Sequence, residues 1–316
     1  MVARGHEVII YGSEDNDSAG EMVTCITKAQ QSELGFNGPE DYLGADFDPN
    51  KPLFALFNQN VIKALHERIE PRDFILLSMG ISQQPVIDEF PSHIRVEYGI
   101  GYSGISMSTF HVFESVAWRH FVYGVYQLDG QFYDEVIPNY FDVTQFPAPP
   151  SEPDDYYLYI GRLIERKGYS IAVEACQERQ QRLVIAGHGE PPAYGEYRGT
   201  IGPEERGKLM ANAIATFTPT LYVGPFEGVS VEANLCGTPV ITTDWGSYTE
   251  NVIEGFNGFR CKSMAEFRRA MDLSHHVDRP AIREWAINKF SADVVARQYE
   301  EYFERLSTLW GRGFYT

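Results

Sequence analysis

Apolar and polar positions along this chain predict a parallel β-sheet covered by helices. Short, mostly apolar runs of strand length alternate with stretches in which apolar residues recur every three or four positions. In the first half, residues 6–11, 74–78 and 94–99 are predicted strands, and residues 54–70 are a predicted amphipathic helix. Residues 13–50 are acidic and weakly patterned, and we expect them to be partly loop.

The second half has a cleaner alternation of the two patterns. Predicted strands lie at 156–160, 182–186, 216–218 and 239–242, and predicted helices lie at 170–178, 203–213, 229–235, 264–273, 279–289 and 294–309. This order predicts a doubly wound α/β unit. Residues 146–153 contain four prolines, which predict a semi-rigid linker between the two halves. We therefore expect one domain over 1–147 and a second over 148–290.

Composition and charge argue against several classes of function. A formal net charge of −18 argues against binding to nucleic acid or to an anionic lipid surface. No apolar run is long enough to span a membrane, and charged residues near the start interrupt any signal peptide, so a cytoplasmic location is expected. The four cysteines show neither zinc-ligand nor disulfide spacing, and buried reduced thiols are the simpler interpretation.

Two glycine-containing turns point to phosphate chemistry. Gly161-Arg162 follows the first strand of the second half, and Lys167-Gly168 opens the next helix. Two cations at the carboxyl end of a strand, beside a helix N-terminus, favour a diphosphate. A solvated surface pair is the alternative interpretation. Gly187 ends the next strand, where a glycine permits close approach of the backbone to a base or ribose, although steric reasons also select glycine there.

Residues 222–244 are the most informative stretch. A loop rich in aromatic residues and glycine leads into a short helix that carries Glu232, and a Cys-Gly-Thr-Pro turn then leads into a strand. Such a unit aims backbone N–H groups, here those of Gly228, Val229 and Ser230, and one buried carboxylate at a ligand beyond the carboxyl ends of the sheet.

Together these motifs resemble the donor site of retaining GT-B glycosyltransferases of family four, the glycosyl transferases group 1. The resemblance implies two Rossmann-like domains with a cleft between them, and a final helix, 291–316, that crosses back to the first domain. It implies that Arg162 and Lys167 neutralise the departing diphosphate, and that Glu232 binds the ribose hydroxyls. It also implies a UDP- or GDP-linked sugar donor, an acceptor hydroxyl on a glycan, lipid or small molecule, and no metal ion or other cofactor.

One departure from the family pattern concerns the carboxylate at the donor sugar. The family has Glu-Pro-Phe-Gly-Gly where this chain has Gly-Pro-Phe-Glu-Gly, so Gly224 stands at the glutamate position and Glu227 at a glycine position. Either Glu227 reaches the sugar as a catalytic carboxylate from its new position, or the site is impaired. A third interpretation makes Glu227 a solvent-facing loop residue.

The first half carries weaker signals. By the resemblance, Tyr98, Tyr102 and His120 should line the acceptor side of the cleft. Residues 4–8 match the family's entry into its second strand, so the N-terminal domain should be incomplete, its first strand, loop and helix being absent or supplied by a partner chain or by self-association. The main alternative to a transferase is a nucleotide-sugar-binding protein with weak activity or with hydrolysis only. A phosphorylase or epimerase on the same architecture is a third possibility.

Overall fold

The computed structural model describes residues 1–14, 16–38, 41 and 46–309 and divides the chain into two compact units. The first unit contains residues 1–112, 131–135 and the chain from 299 onward, and the second contains 113–130 and 136–298. This division differs from the one expected at the proline-rich segment. Residues 113–130 and 136–147 belong by their packing to the second unit, although they precede the boundary expected after residue 147.

The second unit is built on a six-stranded parallel sheet. Its strands are β7 (Tyr157–Ile160), β8 (Leu183–Ala186), β9 (Glu196–Tyr197), β10 (Thr216–Thr218), β11 (Val240–Thr243) and β12 (Gly258–Cys261). Their order across the sheet is β12-β11-β10-β7-β8-β9, with parallel pairing at every ladder. Strands β7 and β10 are neighbours at the centre of the sheet. From there β8 and β9 follow toward one edge, and β11 and β12 follow toward the other, which is the dinucleotide-binding arrangement.

Helices cover both faces of this sheet. They are α5 (Tyr169–Glu178), α6 (Pro203–Asn212), α7 (Gly228–Leu235), α8 (Tyr248–Asn251), α9 (Met264–Leu273) and α10 (Arg279–Phe290), and the second unit also contains α4 (Val116–Tyr126). Alternate residues of β7 enter different cores: Tyr157 and Tyr159 pack in one cluster with α5 and α9, and Leu158 packs in the other with α6, α7 and α10. A strand buried on both faces explains the unbroken apolar run in the sequence.

The described residues of the first unit form two sheets. One is the parallel pair β1 (Ile9–Ser13) and β2 (Glu21–Ile26), and the other has the order β3 (Phe74–Leu77), β4 (Ile94–Ile100), β5 (Phe110–Phe113) and β6 (Glu135–Val136). Strands β5 and β6 each end one residue inside the second unit. The helices are α1 (Lys28–Glu33), α2 (Pro52–His66) and α3 (Gln84–Glu89).

The range 13–50, expected to be partly loop, contains two regular elements. Strand β2 lies within that range, and α1 follows it with a capping box in which Thr27 and Gln30 satisfy each other's backbone N–H groups. Only the last two residues of β2 are fully buried, so its apolar pattern is weak in the sequence. The remaining predicted strands and helices are present, with ends that differ by a few residues.

The last helix, α11 (Ala292–Leu309), begins in the second unit, and its residues from Tyr299 onward belong to the first. Within the first unit Tyr302 donates a hydrogen bond to the carbonyl of Tyr133. Over the described residues, no helix combines the length and apolarity needed to cross a membrane.

Candidate functional site

The candidate site lies where the strand order of the second unit reverses, between β7 and β10. Ligands of open parallel sheets bind outside the carboxyl ends of the strands at such a point. The loops after these two strands are held together: the backbone N–H of Leu221 donates to the carbonyl of Arg166 over 2.8 Å. Gly168 has φ +69°, and a Cβ there would lie 2.0 Å from the carbonyl oxygen of Pro219. The glycine of the Lys-Gly motif is therefore required by this close approach.

The close approach brings Lys167 to the loop after β10. Its Nζ lies 3.1 Å from Oε2 and 3.4 Å from Oε1 of Glu227. The lysine side chain is 23% exposed and the glutamate side chain 6%, so this ion pair is largely withdrawn from water. The structure thus brings together two of the residues proposed as catalytic. The third, Arg162, is exposed at the exit of β7 and does not line the cavity that contains the pair.

Glu227 has an unusual backbone. It immediately precedes α7 with φ 59° and ψ 57°, in the left-handed region that costs a non-glycine residue about 1–2 kcal/mol. Ser230 stabilises the turn, because its backbone N–H and its Oγ both donate to the carbonyl of Glu227, over 3.0 and 2.7 Å. Ser230 was predicted to bind the donor, but its backbone N–H and its hydroxyl are both engaged within the turn. Strained residues of this kind concentrate at functional sites.

This backbone turns the Glu227 side chain back over Gly224. A Cβ built on Gly224 would lie 2.0 Å from Oε1 of Glu227, and the three nearest atoms to that Cβ all belong to Glu227. The carboxylate therefore occupies the space into which a side chain at position 224 would extend. The interpretation of Glu227 as a solvent-facing loop residue is wrong, because its side chain is buried and paired.

Glu232 lies on α7 with a carboxyl group whose hydrogen-bonding capacity is incompletely used. Its Oε2 is 3.3 Å from Nε of Arg206, close enough for an ion pair, but it is buried without a hydrogen bond from the described residues. The angles at this contact do not make it a hydrogen bond. Burial raises the pKa of Glu232, and the charge of Arg206 opposes the rise. The side chain of Glu232 is 13% exposed, and it does not line the cavity beside Glu227.

A cavity of about 440 Å³ opens beside the Lys167–Glu227 pair, within the size range of small-molecule sites. All the residues that line it belong to the second unit. They are Glu114, Asn139, Tyr140, Phe141, Lys167, Tyr222, Pro225, Phe226, Glu227, Gly228 and Val229. Its wall thus combines one cation and two carboxyl groups with aromatic rings, among which Phe141 and Phe226 are stacked with centroids 6.2 Å apart.

The second carboxyl group of this cavity belongs to Glu114, which precedes Ser115, the N-cap residue of α4. Ser115 donates from Oγ to the carbonyl of Pro225 over 2.5 Å, which ties this segment to the donor loop. The N–H groups of Val116 and Ala117, at the start of α4, donate to the two carboxylate oxygens of Glu250 over 2.9 and 2.8 Å. These contacts fix the position of Glu114 in the wall.

Other predicted site residues do not line the cavity. Gly187 has φ +142°, and a Cβ there would lie 1.9 Å from the carbonyl oxygen of Gly161, so the packing of two strand ends already requires glycine. In the first unit, Tyr98 is partly exposed, and Tyr102 donates to the buried carboxylate of Glu97 over 2.7 Å. In the second unit, His120 is exposed on α4 and does not line the cavity.

Sequence analysis missed three residues of the site. Glu114 lies more than a hundred positions before the donor loop, and no local motif marks it. Arg206 on α6 pairs with Glu232. Tyr222 lines the cavity and lies beneath the guanidinium of Arg166, 3.9 Å from its ring centroid. A basic residue near an aromatic loop is a signal that could have identified the last contact, whereas the first two depend on the tertiary fold.

The described residues contain no group of three or more His, Cys, Asp or Glu side chains placed to hold a metal ion. All four cysteines are buried and free, as expected for core thiols.

Comparison with known proteins agrees with this geometry. The family described as "Glycosyl transferases group 1" matches residues 154–273, which include the β7–β10 switch point and the donor loop. An uncharacterised glycosyltransferase of Methanocaldococcus jannaschii is 26% identical over 162 residues, and the match covers 46% of this chain and 40% of that protein. The matched stretch therefore spans about two fifths of that relative's length.

Solved structures extend the likeness beyond the second unit. AviGT4, a glycosyltransferase involved in avilamycin A biosynthesis, has a TM-score of 0.65 at 19% identity, over 97% of this chain and 86% of its own. Anabaena HepE in complex with UDP and glucose has a TM-score of 0.64 at 16% identity, over 90% and 86% of the two chains. At these identities the likeness establishes the fold. The chain has the GT-B fold, and its residues 154–273 match the family described as glycosyl transferases group 1.

Proposed function

We propose that this chain transfers a sugar from a nucleotide diphosphate sugar to an acceptor hydroxyl, with retention of configuration. The observation that carries the proposal is the buried Lys167–Glu227 pair in the wall of a 440 Å³ cavity at the switch point of the sheet. A cation and a carboxylate held together at a strand end suit a donor whose leaving group is anionic and whose sugar carries hydroxyls. The solved complexes of HepE with UDP favour a uridine nucleotide.

In this reaction the bond between the anomeric carbon and the diphosphate oxygen breaks, and its electron pair leaves with the diphosphate. The acceptor oxygen then bonds to the same face of the anomeric carbon, and its proton passes to the departing phosphate oxygen. Lys167 would stabilise the negative charge that develops on the leaving group. Arg162, at the exposed exit of β7, would contribute as the donor approaches. With these cations in place, we propose that no metal ion is needed.

Glu227 would bind the transferred sugar. Its carboxylate lies in the space above Gly224, the position from which the family's carboxylate would extend. The exchange of the two residues would therefore leave the site with a carboxylate near its usual place, and an active enzyme is favoured over an impaired one. Beside it, the first N–H groups of α7, at Gly228 and Val229, line the cavity where the donor would lie. Glu232 would accept hydrogen bonds from the ribose hydroxyls with its unused oxygen.

The proposal is tested by incubating the protein with UDP- and GDP-linked sugars, with and without added sugar alcohols and oligosaccharides. Released nucleoside diphosphate is measured, and NMR gives the anomeric configuration of the product. We expect release with at least one donor, retention of configuration, and the same rate with EDTA as with Mg²⁺. Stabilisation by a nucleotide sugar without any release would identify a binding protein, and inversion would contradict the proposed mechanism.

A further inference from the structure

Glu114 is a carboxyl group of the cavity to which the proposed reaction gives no role. It is half-buried, and it shares the cavity wall with Lys167 and Glu227. Among the described residues, the structure gives its carboxyl one hydrogen-bond donor, the side-chain amide of Asn139, which is 2.8 Å from Oε1. Its other oxygen retains its full accepting capacity toward whatever occupies the cavity.

The position of Glu114 is fixed independently of any ligand. Ser115 is 2% exposed and bonded to the donor loop, and the next two residues are bonded to Glu250. Three consecutive tertiary contacts are far more than a solvated surface glutamate needs. A carboxyl held this rigidly loses little entropy when it accepts a further hydrogen bond, which is the condition for a selective contact.

Burial of Glu114 also makes it unfavourable to leave its carboxyl group without a hydrogen-bond partner. Burial raises its pKa, and the hydrogen bond from Asn139 only partly opposes the rise. A carboxyl in such surroundings gains more from a polar ligand group than one in water does. Tyr140 and Phe141, which follow Asn139 in the chain and line the same cavity, offer ring surfaces that suit the apolar faces of a sugar ring.

We propose that Glu114 accepts a hydrogen bond from a hydroxyl of the transferred sugar and thereby selects which sugar the site takes. The inference rests on the proposed function, because it assumes that the cavity receives the sugar of a nucleotide donor. Glu227 and Glu114, which belong to different segments of the wall, would then hold different hydroxyls. A sugar that lacks the matching hydroxyl, or carries it in the other orientation, would leave the Glu114 carboxyl unpaired.

The test separates the sugar from the nucleotide. Isothermal titration gives Kd for UDP and GDP alone and for UDP-glucose, UDP-galactose, UDP-N-acetylglucosamine and GDP-mannose. The parent is compared with Glu114→Gln, Glu114→Asp and the control Glu284→Gln, which alters an exposed glutamate of α10 in the same unit. Thermal unfolding identifies any variant that fails to fold.

We expect each Glu114 variant to bind the nucleoside diphosphate within about two-fold of the parent. The affinity for the preferred nucleotide sugar should fall about ten-fold or more, which is the loss expected when a hydrogen bond to a charged group is removed. The ranking of the sugars should also change in Glu114→Asp, which moves the carboxyl by one methylene. The Glu284 control should leave every Kd as in the parent.

Two results would overturn the inference while leaving the proposed function intact. One is an unchanged ranking of sugars with unchanged affinities in both Glu114 variants. The other is an equal loss of affinity for nucleotide and nucleotide sugar, which would give Glu114 a purely structural role. If the parent binds neither UDP nor GDP nor any of the four nucleotide sugars, the proposed function itself fails, and the inference fails with it.

Discussion

Replacing Gly224 with alanine should displace the Glu227 carboxylate without removing it. Gly224 has no positive φ, so its backbone accepts alanine, but the new Cβ would lie 2.0 Å from Oε1 of Glu227, where ordinary contact begins at 3.4 Å. The carboxylate must move by more than an ångström, and Lys167, 3.1 Å away, then loses its partner. Losing a hydrogen-bonded, largely buried ion pair costs roughly 1–3 kcal/mol.

The cost should vanish once the Glu227 side chain is gone. In the Glu227→Gly background the three side-chain atoms nearest the new Cβ are gone, so Gly224→Ala should cost under about 0.5 kcal/mol there. Glu227→Gly alone combines the loss of the ion pair with relief of about 1–2 kcal/mol of left-handed strain. Urea unfolding of the parent, both single variants and the double variant gives the coupling energy, which we expect to be roughly 1–3 kcal/mol.

The same pair of positions should govern turnover. Glu227→Gly should lose donor turnover, and the double exchange Gly224→Glu with Glu227→Gly should restore it, because either residue can deliver a carboxylate to the same space. Gly224→Glu alone should fail, since two carboxylates would then compete for one position beside Lys167. Two results would contradict this prediction. One is that the unfolding free-energy changes of Gly224→Ala and Glu227→Gly add up in the double variant to within about 0.5 kcal/mol, and the other is that the double exchange turns over donor no faster than Glu227→Gly.

Three further changes test separate contacts. Glu232→Gln should weaken nucleotide binding by roughly 1–3 kcal/mol and abolish discrimination against a 2′,3′-dideoxyribose analogue; unchanged discrimination would contradict a ribose contact. Burial alone lowers the pKa of His111, but the hydrogen bond and charge of Asp134 outweigh it and raise that pKa above the usual value. The pair therefore makes its whole contribution to the unfolding free energy below about pH 6.5 and loses it as pH rises through the raised pKa. Asp134→Asn should remove this pH dependence from urea unfolding measured between pH 5.5 and 9. A variant with the same pH profile as the parent would contradict the prediction. Ser115→Ala, which removes the bond to Pro225 and the cap of α4, should lower the unfolding free energy by about 1–2 kcal/mol; no change would show that the segment is held otherwise.

Four of the six strands of the second unit were predictable from sequence, because β7, β8, β10 and β11 are buried and glycine or proline marks their ends. The edge strands β9 and β12 were not predicted, and β9 buries neither of its residues fully. Strand 216–218 and helix 264–273 were predicted with the bounds that the structure gives. The first unit was less predictable, since β2 (Glu21–Ile26) buries only its last two residues and its pattern is correspondingly weak.

The candidate site was predictable only in part. Local motifs in the sequence predict Lys167, Glu227 and Glu232 as site residues. In the structure Lys167 pairs with Glu227, and Glu232 lies beside Arg206. The place of the Glu227 carboxylate was not predictable, because it depends on a left-handed turn at a residue that is not glycine. Glu114 was missed because its place depends on the tertiary bond between Ser115 and the donor loop.

The central claim is that the donor's diphosphate binds at Lys167. Isothermal titration of UDP and GDP into the parent, Lys167→Met and Lys208→Met tests it most directly. Lys208 is the matched control, an exposed lysine of α6 in the same unit whose partner is the surface residue Glu204. We predict that at least one nucleoside diphosphate binds the parent and the Lys208 variant equally and binds Lys167→Met at least ten-fold more weakly. Equal affinity for the parent and Lys167→Met would contradict the claim.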